Sequence, residues 1–111
     1  MKTIVIINLD IEGFHYYKEA PKQVEFLRNN HRHIFNIKIG YKVDDLNREK
    51  EIFIQTALIQ DYLNETYGVP CHFEQMSCEM IAKELLEFAS CDNAVWCEVL
   101  EDNKGGAKVE L

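Results

Sequence analysis

Three histidines carry the most chemistry in this chain. His31 and His33 stand one residue apart in FLRNNHRHIF, and His15 ends an earlier segment, TIVIINLDIEGFH. Successive side chains of a strand point to opposite faces, so an H-x-H pair presents both imidazoles on one side, about 6–7 Å apart along the backbone. If the two segments pair, three imidazoles complete a zinc set with one open position. The alternative is buried histidines hydrogen-bonded to carboxylates or to the backbone.

Both histidine segments have the period of half-buried strands. In the first, every second residue from Val5 to Ile11 is apolar, and Gly13 then predicts a bulge or bend. In the second, every second residue from Phe35 to Val43 is apolar. Continued to the segment ends, the two phases place the three histidines on the apolar face and Arg32 on the opposite one.

The remaining segments predict a small α+β domain. A short helical turn is expected in EAPKQVEFLRNN, and EIFI (51–54) reads as a third strand. QTALIQDYLNETYG is typical of a helix stopped by Gly68 and Pro70, and SCEMIAKELLEFAS of a second helix capped by Ser77. AVWCEVLED and AKVEL read as final strands around an NKGG turn.

We therefore expect one domain over residues 1–111, with an antiparallel sheet and two helices packed on one face. Open sheet edges invite partner chains, so a homo-oligomer is expected.

Composition narrows the function. A formal net charge of −7 argues against binding of nucleic-acid polymers. No apolar run reaches the roughly 20 residues of a membrane span. No signal peptide is recognised, and the four cysteines form no C-x-x-C pair, which favours reduced thiols and a cytoplasmic location. Eight of the twelve Lys and Arg residues fall within 18–50, either as a solvated strand face or as a basic rim for phosphate.

The segments DIEGFH, HRHIFNIKI, SCEMIA and VWCEVLED resemble the tunnelling-fold pterin synthases. That family binds zinc through three histidines and anchors the pterin ring with a helix-start or late-strand glutamate. The resemblance implies His15, His31 and His33 as zinc ligands, if zinc is retained. It implies Glu79, with Glu98 or Glu101, as the carboxylate anchors.

Three positions depart from that family. Its catalytic cysteine, four residues before the histidine pair, is replaced here by Leu27, which transfers no proton. The middle glycine of the pair is Arg32. Its Asp-His pair has no clear counterpart in NETYGVPCHFEQM, where His72 is the single candidate. A pterin synthase-like lyase is thus the alternative, and no enzyme activity is expected.

A longer resemblance runs from GFHYYKEAPKQVEFLRNNHRHIFNIKI through FEQMSCEMIAKELLEF to the Gly-Gly-Ala near the end. It is to the first-described phage family of Thoeris anti-defence sponges. The resemblance implies a homodimer or hexamer in the cytoplasm of an infected bacterium. Such a protein sequesters a cyclic ADP-ribose isomer (glycocyclic ADP-ribose) without cleaving it, holds cyclic oligonucleotides at a second site in some members, and requires no cofactor.

For such a ligand, chemistry suggests the contacts. Arg28 is the first choice for the diphosphate because its planar fork matches phosphate oxygens; Arg32 and Lys108 are the next choices. Candidates for stacking on adenine are Phe14, Tyr16 and Phe88. Glu101 and Asn103 could pair with ribose hydroxyls or the base edge. Each of these residues has an ordinary structural alternative, and a module that binds no small molecule is a third hypothesis.

Overall fold

A computed structural model describes all residues from Met1 to Leu111. The chain forms a five-stranded sheet, two α-helices and two 3₁₀ helices, at Lys22–Arg28 and Ser90–Asp92. In chain order the other elements are β1 (Thr3–His15), β2 (His31–Val43), α1 (Ile52–Tyr67), β3 (Cys71–Glu74), α2 (Cys78–Ala89), β4 (Ala94–Glu101) and β5 (Gly105–Glu110). This confirms the α+β prediction and the helical turn before the histidine pair.

The sheet has the order β3-β1-β2-β4-β5 and is mixed. The long β1–β2 hairpin and the pairs β2–β4 and β4–β5 are antiparallel, whereas β3 lies parallel to β1. The prediction of a purely antiparallel sheet was therefore wrong at this edge. The reason is the connection through α1. This helix leads from the end of β2 to the opposite side of β1, where β3 then runs in the same direction as β1.

One predicted strand was wrong. Residues 52–54 form the start of α1 instead, and the carboxylate of Glu51, the N-cap, accepts a hydrogen bond from the Ile54 N–H at 2.9 Å. This cap satisfies a donor that the first turn leaves free. The helix ends at Gly68, as predicted, with φ 88°. Ser77 caps α2 through a 3.2 Å bond from the Met80 N–H.

The core lies between one face of the sheet and both α-helices, as predicted. The alternate apolar residues of β1, β2 and β4 face it, and α1 and α2 add buried side chains. The largest fully buried residues include Tyr41, Phe35, Ile37, Ile59 and Leu85. The three histidines continue this same face beyond Phe35, at the end of the sheet. The core therefore fixes the direction in which the imidazoles point.

Candidate metal centre

The β1–β2 ladder brings the three histidines together. His15 lies directly opposite His31, and Gly13 lies opposite His33. At Gly13 a Cβ would come within about 3 Å of the Phe35 and Phe73 rings, so a glycine lets the strand pass this crowded point. The ring centroids are 4.6 Å apart for His15–His31, 5.2 Å for His15–His33 and 4.9 Å for His31–His33.

Each imidazole is held by its Nδ1 atom. His15 Nδ1 lies 2.9 Å from the Met76 carbonyl, His31 Nδ1 2.8 Å from the Asn29 carbonyl, and His33 Nδ1 2.7 Å from the Asp102 carboxylate. All three partners are oxygens that accept, so each Nδ1 carries the hydrogen. In the neutral imidazoles the lone pairs are then on Nε2.

The three Nε2 atoms converge and have no hydrogen-bond partner, although all are buried. One ligand atom from each histidine can be chosen so that all three lie within 4.8 Å of one another. Buried polar atoms in proteins are nearly always paired, and metal-binding histidines typically donate their other ring N–H to a carbonyl or carboxylate. The donor set and its supporting acceptors therefore fit a zinc ion. This arrangement is what the H-x-H spacing and strand phase predicted.

Glu101 stands beside the imidazoles at the end of β4. Its side chain is about one-third exposed, Oε2 lies 3.0 Å from His15 Nε2, and Oε1 lies 3.5 Å from His33 Nε2. The contact with His15, together with the nearby His33, lowers the pKa of Glu101 despite its partial burial. Burial alone would lower the pKa of His15, but Glu101 and the Met76 carbonyl raise it overall.

Cys78 approaches Glu101 from the first turn of α2. Its thiol donates a 3.5 Å hydrogen bond to Oε2. Burial, the Glu101 charge and Glu79 raise the pKa of Cys78 to about 12, so in the metal-free protein it is a thiol and no thiolate. The site thus has a cysteine, supplied by the first turn of α2.

A pocket of about 530 Å³ opens next to the histidines. Its wall includes His15 and His31, the helix start at Cys78 and Glu79, Glu101, and apolar groups such as Leu27. The size is typical of small-molecule sites. No Lys or Arg lines it, whereas two glutamates do. The carboxylates therefore give the pocket wall a negative charge.

Of the residues expected to contact a nucleotide, Tyr16 and Glu101 line this pocket. Phe14 stacks on His72 at 5.6 Å between ring centroids, and Phe88 stacks on Tyr62 at 4.0 Å. The Asn103 N–H donates to the Asn36 side chain. Phe14, Phe88 and Asn103 are therefore not brought to the pocket within one chain.

The expected cations also have protein partners. Arg28 Nε donates to the Ala20 carbonyl at 2.9 Å, with about half of the side chain exposed. Arg32 pairs with Glu12 on the outer face of the sheet, as its phase predicted. Lys108 lies over the Trp96 ring and pairs with Glu110 at 3.0 Å. None of the three lines the pocket.

Two supporting residues were not predicted. Asp102 holds His33 and also accepts the Ile34 N–H, and its pKa is lowered, chiefly by the His33 contact. Cys78, whose thiol donates to Glu101, is the second. The inward phase Val95-Cys97-Val99, extended by one step, indicates that Glu101 faces the histidines. No sequence signal marks the Asn29 and Met76 carbonyls.

Comparison with protein-family models gives no match, and comparison with curated proteins gives none either. None of the helices has both the length and the apolar character needed to cross a bilayer.

Proposed function

We propose that this protein holds a zinc ion through His15, His31 and His33 and binds a small nitrogen heterocycle in the adjoining pocket. One observation carries the proposal: the three histidines offer ligand atoms within 4.8 Å of one another, and their buried Nε2 atoms form no hydrogen bond while each Nδ1 lies against an oxygen. A bound zinc ion would supply positive charge and a Lewis acid at the pocket wall. The likeness to the tunnelling-fold pterin synthases supports the same donor set.

The charge of the pocket suggests the ligand class. Glu79 lies at the pocket wall in the first turn of α2, and its carboxylate can accept two neighbouring N–H groups. A ring with an amino group next to a ring N–H, as in a pterin or a guanine, presents that pair of donors. A free diphosphate would instead face Glu79 and Glu101 with no cationic side chain at the wall. The geometry therefore favours a heterocycle over an isolated anion.

We further propose that the ligand is captured without conversion. Leu27 lines the pocket at the position where the pterin synthases carry their cysteine. A leucine neither accepts nor donates a proton in general acid–base catalysis. His72, the single candidate for the family's Asp-His pair, is exposed and stacks on Phe14. The residues at the pocket thus support binding better than a lyase reaction.

The test begins with metal analysis of the purified protein, followed by calorimetry with a pterin, guanosine and adenosine. We expect one zinc per chain and binding of the first two ligands, each weakened in Glu79→Gln. Denaturing the complex and analysing the released molecule should return it unchanged. A zinc-free protein that binds these ligands equally well would refute the zinc-centred pocket, and a modified product would refute capture without conversion.

A second candidate is the anti-defence sponge for a cyclic ADP-ribose isomer. Leu27 at the pocket favours it, because sequestration needs affinity and no proton transfer. In this hypothesis the base enters the pocket and the diphosphate reaches outward to Arg28, whose guanidinium is half exposed beside Leu27. A homodimer or hexamer, and a second site for cyclic oligonucleotides, belong to the same proposal. The free edges of β3 and β5 offer surfaces for assembly.

The two candidates differ in their response to Arg28→Ala. A charge-assisted hydrogen bond to phosphate contributes about 1.5–3 kcal/mol, so the sponge should lose roughly tenfold or more in affinity for the cyclic nucleotide. Binding of a pterin should be unaffected by this substitution. Light scattering during chromatography measures the assembly state. Wild-type protein that leaves the cyclic nucleotide undepleted would exclude the sponge.

A further inference from the structure

The Glu101 carboxylate occupies a specific place relative to the histidines. Its two oxygens lie 3.0 Å from His15 Nε2 and 3.5 Å from His33 Nε2, yet His15 Nε2 has no aligned hydrogen bond. In a tetrahedral zinc site, bonds of about 2.0–2.2 Å put neighbouring donor atoms roughly 3.3–3.6 Å apart. The two separations, which involve different oxygens of the carboxylate, are each close to that range.

From this geometry we infer that Glu101 is a fourth protein ligand of the proposed zinc centre, and that a molecule must displace it to reach the metal. The inference rests on the proposed zinc centre and adds its regulation. Three neutral imidazoles leave the full charge of the ion in a largely buried site, and one carboxylate offsets half of it. Glu79, further along the wall, is then the carboxylate left to bind the heterocycle.

Two contacts fit a carboxylate that is held but can move. The Cys78 thiol donates to Oε2 at 3.5 Å, a weak bond to a sulfur donor. The side chain is also partly exposed, at the last residue of β4 before the hairpin turn. Glu101 can therefore swing into the pocket by side-chain rotation without breaking the strand. A four-ligand zinc site is closed, whereas a three-ligand site keeps a position for a ligand.

The visible spectrum of the cobalt-substituted protein depends on which atoms bind the metal, so it tests the proposed ligands directly. The metal-free protein is titrated with Co²⁺ for its visible spectrum, and zinc affinity is measured against a chromophoric chelator. Wild type is compared with Glu101→Gln, Glu101→Ala and the control Glu79→Gln, which alters the other pocket carboxylate. We expect Glu101→Gln to weaken zinc at least tenfold, as even indirect supporting residues do when lost. Its cobalt spectrum should change, whereas Glu79→Gln should match wild type in both measurements.

An added ligand tests closure. Azide should shift the cobalt spectrum of Glu101→Ala at concentrations that leave wild type unchanged. Wild-type zinc affinity and spectrum in Glu101→Gln, or equal azide binding by wild type and Glu101→Ala, would overturn the inference. So would a near-ultraviolet thiolate band that disappears in Cys78→Ser, because the fourth ligand would then be sulfur. Failure of wild type and Glu79→Gln to bind any zinc would refute the proposed centre itself.

Discussion

Zinc should stabilise this protein only while all three histidines are present. In the metal-free fold, the Nε2 atoms of the three histidines are buried without a hydrogen bond, and only that of His15 has a carboxylate oxygen as close as 3.0 Å. An unsatisfied buried polar atom costs about 1–3 kcal/mol, so a bound ion relieves a substantial penalty. Zinc at one hundred times its dissociation constant adds about 2.7 kcal/mol to the free energy of unfolding. For a domain of this size, that corresponds to a rise in Tm of roughly 10–20 °C.

The assay is thermal unfolding with excess chelator and with excess zinc, followed by fluorescence. His31→Ala removes one ligand, and the measured quantity is the zinc-dependent rise within each variant, so any change in baseline stability cancels. His72→Ala is the matched control, because His72 is the one histidine outside the cluster and is exposed. It should keep the full rise while His31→Ala loses most of it. An equal rise in both variants, or none in wild type, would refute the reasoning.

Three other predictions follow from the same contacts. Asp102→Gly accepts the positive φ of 52° without strain but removes the carboxylate that holds His33. Its zinc affinity, measured by competition with a chelator, should therefore fall roughly 10- to 100-fold. The control Asn103→Gly, at φ 57°, should have little effect. Iodoacetamide followed by mass spectrometry should label Cys91 alone in the native protein, because burial raises the pKa of the other three thiols to about 11 or 12; rapid labelling of a second thiol would contradict this. In metal-free protein, the raised pKa of His15 contributes stability that is lost as pH rises above 6.5, and the lowered pKa of Glu101 contributes stability that is lost as pH falls below 4.5. In urea unfolding, the free energy of unfolding of Glu101→Gln should therefore fall furthest below that of wild type between about pH 4.5 and 6.5. A difference between the two proteins that grows towards about pH 8 would contradict this prediction.

The three histidines of the proposed zinc site could be predicted because their positions depend only on the alternation of side chains within each strand. Every second side chain of a strand lies on the same face. The thirteen residue pairs between β1 and β2 continue this alternation from the core to His15, His31 and His33. The two helix caps, Glu51 and Ser77, differ in how far the sequence predicts them. Ser77 was predicted as a cap from its type, whereas the apolar run after Glu51 is rich in β-branched and aromatic residues and reads equally well as a strand.

What the sequence could not predict depends on contacts between distant segments. The strand β3 has the pattern buried-exposed-buried-exposed, but its four residues are too few to be distinguished from a loop, and its parallel pairing with β1 depends on where α1 packs. Arg28 is a similar case. Its guanidinium is suited to phosphate, yet the fold of the 3₁₀ segment directs Nε to the Ala20 carbonyl.

The position of the cations decides what kind of ligand the site favours. Most of the positive charge lies within residues 18–50, next to the histidines in sequence, and from sequence alone this is either a solvated strand face or a basic rim for phosphate. In the fold, Arg32 lies on the outer face of the sheet, and Lys38 and Lys42 share that face by strand phase, opposite the pocket. The pocket wall therefore has the two carboxylates and no basic side chain. A ligand that presents N–H donors can bind Glu79, the carboxylate that the proposed zinc centre leaves free, whereas a phosphate would meet positive charge only at the proposed metal or outside the pocket at Arg28. Base recognition and phosphate recognition are thus separate demands on this fold, and variants at Glu79 and Arg28 measure them independently.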